Sequence, residues 1–176
     1  MKKLLLFLTV MIIFTGCGNM EIGNTPSRKV EDYLNKYQTL DKDVMDDLSL
    51  VITNDSSISD DKKEEYLDFM KKHYQDLTYE IKDQTIDGDD AIVVTEVTVR
   101  DYSNAVNNAE NKKYETNGKV DDELISFSSY RLEELKKAKE IVTYTINFTL
   151  KKKDGKWVID QLSNADLNKI NGLYSG

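Results

Sequence analysis

The sequence is poor in the residues that build most catalytic and covalent sites. Its 176 residues include one cysteine, one histidine and one proline. A single cysteine excludes an intramolecular disulfide, and a lone histidine without a second histidine or cysteine completes neither a zinc site nor a catalytic triad. The chain has one proline and neither low-complexity blocks nor internal repeats, which indicates a globular domain rather than a linker.

Positive charge is also scarce relative to negative charge. Lysine and arginine number 24 against 32 aspartate and glutamate residues, which gives a formal net charge of −8. An acidic surface is repelled by nucleic acid and by anionic lipid headgroups. We therefore expect no nucleic-acid partner and no adsorption of the whole surface to a membrane.

A long uncharged run lies at the amino terminus. Lys2 and Lys3 precede eleven residues, 4–14, that carry no charge. The run is too short for a spanning helix, which needs about 20 apolar residues. A positive start followed by such a run predicts a secretory signal peptide over residues 1–16.

A short motif follows the run directly. Phe14-Thr15-Gly16-Cys17 resembles the lipobox of bacterial lipoproteins. The resemblance implies diacylglycerol transfer to the Cys17 thiol and cleavage between Gly16 and Cys17. Because two or three acyl chains bind a bilayer durably, the mature chain would be anchored on the extracytoplasmic face of the cell membrane. The alternative, an ordinary signal peptide with a coincidental free cysteine, is opposed by the position of the only cysteine immediately after a complete leader.

Only a short segment separates the predicted anchor from the first helix signal. Residues 17–24 form this lipidated tether, and the seven residues after Cys17 extend at most about 25 Å. Residues 25–176 have the size of one domain and can bury an adequate core. We expect a single domain held close to the membrane surface.

In the first part of the domain, apolar residues recur with the spacing expected of helices. Thr25, followed by proline, and Asp41 are predicted to cap two helices, and Ser59 is predicted to cap a third. Tyr33 and Tyr37 fall on the apolar stripe of the first helix.

Later segments alternate between strand and helix patterns. Strands are predicted over four segments, 77–86, 91–102, 142–150 and 156–162. Between the second and third strands, residues 103–116 predict a weak helix or a mobile loop, and Asn117-Gly118 interrupts the helical pattern. A more convincing helix follows over 120–140, with one side formed by Leu124, Phe127, Arg131, Leu135 and Ala138. A last short helix is expected after Ser163.

Two patterns bracket the domain. They are Thr25-Pro26 with Val30, Tyr33-Leu34 and Tyr37, and Gly155-Lys156-Trp157 with Leu162, Leu167 and Ile170. Together with the element order they resemble the NTF2-like (cystatin-like) superfamily and are similar to small lipoproteins of Gram-positive bacteria. The resemblance implies an α+β fold in which N-terminal helices pack on a curved four-stranded antiparallel sheet, forming a cone.

Candidates for chemistry are few. Some NTF2-like enzymes place an aspartate in the cone as a general base, and Asp160 and Asp101 are the strand acids with mostly apolar neighbours. The alternative for Asp160 is an outward-facing strand residue. His73 is either a general base or metal ligand, or a partly exposed residue near a helix end, where positive charge is favourable.

Neither a metal nor a cofactor is predicted. Asp87, Asp89 and Asp90 offer oxygen ligands for calcium, but their spacing lacks the glycine-containing loop and distal glutamate of an EF-hand. A hairpin turn accounts for all three residues.

Tyrosines and lysines provide the candidates for binding. Tyr33, Tyr37 and Tyr144 are candidates to line a pocket, because tyrosine offers an apolar face and a polar tip, although core packing explains the same spacing. Lysines within 151–156 form a basic hairpin tip that either meets anionic headgroups or wall polymers, or blocks edge pairing.

The sequence therefore predicts a membrane-anchored, extracytoplasmic lipoprotein that binds a small apolar ligand or an envelope protein without catalysis. The alternative hypothesis is an isomerase-like or hydrolase-like enzyme that uses Asp160 or Asp101. A deep apolar cavity with a carboxylate at its base would favour the enzyme or a small ligand, and a filled cone with an exposed apolar patch would favour a protein partner.

Overall fold

Three helices come first in the structure, a computed structural model that describes residues 23–115 and 124–175. They are α1 (Pro26–Gln38), α2 (Lys42–Asn54) and α3 (Lys63–Asp76). The predicted signal peptide, Cys17 and the Asn117-Gly118 interruption lie outside the described residues.

The predicted caps of the first two helices are confirmed. The Thr25 side chain accepts a hydrogen bond from the Arg28 backbone N–H, and the Asp41 side chain accepts one from Asp43. These bonds satisfy amide groups that have no partner inside a helix, so the two starts are determined locally.

The start of α3 differs from the prediction. A 3₁₀ turn, Asp60–Lys62, precedes the helix, and Ser59 makes no side-chain capping bond. The Ser59 hydroxyl lies 3.1 Å from the hydroxyl of Ser128, which is far along the chain. A tertiary contact therefore replaces the expected local cap.

Four antiparallel strands form one sheet. They are β1 (Thr78–Asp87), β2 (Asp90–Arg100), β3 (Ile141–Lys153) and β4 (Lys156–Ile159). Their spatial order follows the chain, and each strand pairs with the next. Strand β4 ends three residues earlier than predicted, because the chain leaves the sheet after Ile159 to reach the last helix, α6 (Asn164–Ile170).

Two helices connect β2 to β3. They are α4 (Ser103–Glu115) and α5 (Leu124–Lys137), and they pack on each other. The weak pattern over 103–116 is therefore a helix. Ala105 and Ala109 are buried one turn apart on α4. The buried side of α4 is therefore formed by small side chains, which is why the sequence showed no stripe of large apolar residues.

The core is divided into two clusters. In the first, the inner face of the sheet packs against α1, and Val30, Leu34 and Phe148 are completely buried. The inner face is thus filled by side chains. The second cluster lies among α2, α3, α4 and α5, and contains Ile52 and Leu132.

Helices α3 and α5 are held side by side by polar contacts as well. The Tyr66 hydroxyl donates to the backbone oxygen of Ser128 at 2.9 Å, and Glu65 pairs with Lys136. These contacts hold the facing sides of α3 and α5 in place, where Tyr66 and Leu135 line a common cavity.

The α+β fold class is confirmed, with helices packed on a four-stranded antiparallel sheet that does not close into a barrel. The NTF2-like cone remains a prediction. Over the two described ranges, no helix combines the length and apolar character needed to cross a bilayer.

Candidate functional site

A cavity of about 300 Å³ lies among the helices. We call it the helical pocket; α2, α3 and α5 form most of its wall, with Tyr37 at the end of α1 and Leu173 after α6. Apolar and aromatic side chains dominate the lining, among them Leu48, Ile52, Phe69, Met70, Tyr102 and Leu135. A volume of this size is near the lower limit for small-molecule sites.

Two tyrosine hydroxyls on the pocket wall already have partners. Tyr66 donates to the Ser128 backbone oxygen at 2.9 Å, and Tyr74 donates to Oδ1 of Asn171 at 3.3 Å. Burial raises the pKa of both tyrosines to about 12, so both hydroxyls stay protonated at neutral pH. Neither has a free donor to offer a ligand.

The structure separates the three tyrosines that were candidates for binding. Tyr37 lines the helical pocket, and its hydroxyl lies 3.0 Å from that of Tyr33. The ring of Tyr33 packs on Phe148 in the sheet cluster. Tyr144 packs on Tyr174 near the C-terminus and donates to its backbone oxygen at 3.1 Å. Of these three, Tyr37 alone contributes to the pocket.

One positive charge reaches the pocket wall from α5. Arg131 lies between the buried residues Phe127 and Leu135, four positions from each. Its Nε is buried and has no hydrogen-bond partner among the described residues. A buried donor left without an acceptor costs about 1–3 kcal/mol. The structure therefore leaves donor capacity unused at this wall.

Two carboxylates also line the helical pocket. Oδ1 of Asp55 accepts from Ser57 N at 2.8 Å and from Ser57 Oγ at 2.6 Å. Burial opposes ionisation of Asp55, but these hydrogen bonds and the nearby Arg131 charge hold the pKa of the carboxyl below its usual range. Asp47 is exposed and therefore lies at the mouth of the pocket.

The two candidate catalytic aspartates lie far from each other and do not line the helical pocket. The Asp160 N–H donates to the backbone oxygen of Thr149, and the Asp101 N–H donates to that of Glu140. These two acceptors are nine residues apart along extended chain, or about 30 Å. The Asp101 carboxylate accepts from Ser103 N and Oγ at 2.9 and 2.6 Å and so begins α4.

His73 is buried, so the expectation of a partly exposed residue near a helix end is wrong. Its side chain is 3% exposed. Nε2 donates to the backbone oxygen of Ile170 at 3.1 Å, and Nδ1 has no partner among the described residues. Burial lowers the pKa of His73 below its usual value, against the opposing effects of the Ile170 hydrogen bond and Asp76. Its position seven residues after Tyr66, two helical turns along α3, is the signal that places it on the buried side.

The buried histidine predicts a loss of stability in mild acid. In the unfolded chain a histidine binds a proton near pH 6.5, at about its ordinary pKa, whereas His73 in the fold stays neutral to lower pH. The unfolded state therefore binds more protons below about pH 6.5, and the free energy of unfolding falls by up to about 1.4 kcal/mol per pH unit.

Urea denaturation between about pH 7 and about pH 5 measures this dependence. The variant His73→Gln retains a donor for Ile170 but does not titrate, so its stability should change less over this range. An equal slope for the wild type and the variant would show that His73 does not cause the loss.

The acidic and basic hairpin turns lie next to each other. Lys151 pairs with Asp90 at 3.0 Å, and the Lys152 ammonium lies 5.7 Å from the centre of the Trp157 ring. Within 23–115 and 124–175, no group of three or more His, Cys, Asp or Glu side chains is placed to hold a metal ion.

The chain joins the fold beside the β3–β4 turn. Asn24, expected in the tether, donates through Nδ2 to the Gly155 backbone oxygen at 2.8 Å and accepts from Trp157 N–H at 3.3 Å. Helix α1 then carries the chain from Pro26 to Tyr37, about 16 Å along its axis. The wall of the helical pocket therefore begins at the end of α1 opposite to the point where the chain joins the fold.

Comparison with known proteins gives one structural match. The sequence matches no family model and no curated protein. Among solved structures, YcdA from Bacillus subtilis, provisionally called a lipoprotein, aligns with a TM-score of 0.43 and 13% sequence identity. The match covers 84% of this chain and 47% of that protein, so this chain spans about half the length of the protein it matches.

Proposed function

We propose that the protein is a membrane-anchored, extracytoplasmic lipoprotein whose domain binds a small apolar ligand without catalysis. The observation that carries the binding function is the helical pocket, a cavity of about 300 Å³ with a mostly apolar wall. Sites for small molecules are typically concave and apolar, with a few polar groups that orient the ligand.

The anchor is proposed from the sequence. The basic start, the uncharged run and the motif that ends in Cys17 have the layout of a lipoprotein leader. The bonds of Asn24 leave Cys17 to Gly23 as the connection, at most about 25 Å when extended. The β3–β4 turn would then lie near the bilayer, and the helical pocket would lie towards the far end of α1.

Binding is favoured over catalysis by the positions of the candidate acids. An enzyme of the proposed alternative type needs a carboxylate inside a cavity. Asp160 and Asp101 lie at distant points of the sheet, and neither lines the helical pocket. Asp101 lines a separate cavity of about 290 Å³. That cavity does not suit an apolar substrate, because most of the residues that line it are polar, among them Asn104, Asn108 and Glu134. Side chains such as Phe148 fill the inner face of the sheet, whereas the helical pocket offers a cavity with a mostly apolar wall.

Two neighbouring residues on α2 provide a matched test of binding. Val51 and Leu50 are 65% and 61% exposed, and of the two only Val51 lines the helical pocket. In Val51→Trp the bulky indole is expected to obstruct the mouth and weaken binding of an apolar probe by about tenfold, the cost of roughly 1.4 kcal/mol of lost contact. Leu50→Trp adds the same indole outside the pocket and should leave binding unchanged.

The probe is N-phenyl-1-naphthylamine, an uncharged dye whose fluorescence rises in apolar sites. All described helices and strands lie after residue 22, so the chain 17–176 with Cys17→Ser contains every one of them and has no cysteine to be acylated. Absence of saturable dye binding by this chain, or an equal effect of the two tryptophan substitutions, would contradict the proposed site.

A further inference from the structure

We infer that the ligand of the helical pocket is an amphipathic carboxylate, with its apolar body among the pocket side chains and its anionic group on Arg131. This inference rests on the proposed binding function and specifies the class of ligand. It is carried by Arg131, whose buried Nε has no hydrogen-bond partner among the described residues and which is the one cationic side chain in the described pocket wall.

Hydrogen bonding at the pocket wall identifies Arg131 as the free group. Among the described residues, three buried side-chain nitrogen or oxygen atoms lack a partner: His73 Nδ1, Thr95 Oγ1 and Arg131 Nε. Of these three residues, Arg131 lines the helical pocket. The hydroxyls of Tyr66 and Tyr74 donate elsewhere in the protein. Among the described residues that line the pocket, Arg131 is also the one cationic side chain, so an anionic ligand there would meet Arg131.

The chemistry of the guanidinium group selects the acceptor. Arginine presents several N–H donors in a planar fork, which matches the two oxygens of a carboxylate better than a single hydroxyl or carbonyl oxygen. Bonds of this charged kind are about twice as strong as bonds between neutral groups. A carboxylate bound to the guanidinium would bring an acceptor close to Nε, which has no partner among the described residues.

The carboxylates on the same wall do not replace such a ligand. Asp55 acts on Arg131 through its charge, while its Oδ1 accepts two hydrogen bonds from Ser57. Asp47 is exposed at the mouth. Both residues would attract a cationic ligand, but a cation brings no acceptor for Nε of Arg131. The unpaired donor therefore favours an anion, and the two aspartates limit how strongly it is held.

The apolar part of the wall defines the rest of the ligand. Leu48, Met70 and Leu135 line the pocket together with aromatic rings, so they offer contacts to a hydrocarbon body. A cavity of about 300 Å³ has room for a medium-length chain rather than a whole phospholipid. Decanoate is a suitable probe, and decanol and decyltrimethylammonium carry the same chain with a neutral and a cationic group.

The first experiment compares these three probes on the wild-type pocket. Calorimetric titration uses the chain 17–176 with Cys17→Ser, below the concentrations at which the probes form micelles. Decanoate is expected to bind at least about tenfold more tightly than decanol, and decyltrimethylammonium no more tightly than decanol. Equal binding of decanoate and decanol overturns the inference but leaves the proposed function in place. Failure of all three probes to bind overturns the proposed function itself.

The second experiment removes the guanidinium. Arg131→Met retains a long side chain without charge or donors, so decanoate affinity should fall by about tenfold or more while decanol affinity stays the same. An equal loss for both probes would mean that Arg131 only shapes the pocket, which also overturns the inference. Because the first comparison uses no variant at this position, it decides the question even if Arg131→Met does not fold.

Discussion

The variant Cys17→Ala is expected to abolish lipid modification of the protein and cleavage after Gly16. The thiol is the one group at this position that can form a thioether with diacylglycerol, and the resemblance to lipoboxes implies that cleavage takes place between Gly16 and Cys17. The loss should be complete rather than partial, because the chain contains no second cysteine. Labelling cells with an alkyne-tagged fatty acid, followed by intact-mass measurement, detects both changes.

Thr15→Ala is the matched control for this prediction. Alanine is as small as the position before glycine requires, so the variant should be labelled and cleaved like the wild type. A Cys17→Ala protein that still carries the label, or still begins at residue 17, would show that the predicted leader and anchor are incorrect.

The second large effect is expected at Gly172, where the variant Gly172→Ala should lose about 3 kcal/mol of stability or more. This glycine has φ +66°, and a β-carbon there would lie 2.0 Å from the backbone oxygen of Arg100. The Gly172 backbone oxygen also accepts from the Tyr102 N–H at 2.7 Å, so the segment cannot shift without breaking this bond. Steric overlap and left-handed backbone strain therefore act together.

Gly155→Ala separates these two causes. Gly155 has φ +77°, but nothing lies within 4 Å of the position of its missing β-carbon. Its replacement should therefore cost only the left-handed strain, about 1–2 kcal/mol. Chemical denaturation of both variants measures the difference, and equal losses would contradict the close packing of Gly172 against Arg100.

Features that depend on neighbouring residues could be predicted from the sequence. Thr25 and Asp41 cap their helices because the donors they satisfy lie two or three residues away. Gly88 and Gly155 have positive φ in the two hairpin turns, a conformation that glycine adopts without strain. The alternation in β3 also gave the buried face of the sheet correctly, with Phe148 in the core.

Features that depend on distant residues could not be predicted in this way. Ser59 leaves its expected cap because Ser128, on another helix, provides a partner. The spacing from Tyr66 indicates the buried side of α3 for His73, but nothing close in sequence indicates that its Nε2 donates to the Ile170 oxygen on α6. The tyrosine stripe of α1 divides between the pocket and the sheet cluster, since the packing of α1 decides which way each ring faces.

The helical pocket could not be predicted from the sequence either, because side chains from three different helices form most of its wall. One local signal did exist. Arg131 occupies a position on the apolar side of its helix, between Phe127 and Leu135, where a charged residue is unexpected. A charge on an apolar stripe indicates either a buried polar contact or a binding site, and over the described residues Nε has no hydrogen-bond partner.

The most direct measurement of the proposed binding function is chemical-shift mapping of the chain 17–176 with Cys17→Ser during titration with decanol. We predict saturable shifts of methyl groups on the pocket wall, at Leu48, Met70 and Leu135, because the ligand would lie against these side chains. The absence of saturable shifts, or shifts confined to the sheet around Asp160, would contradict a ligand site among the helices.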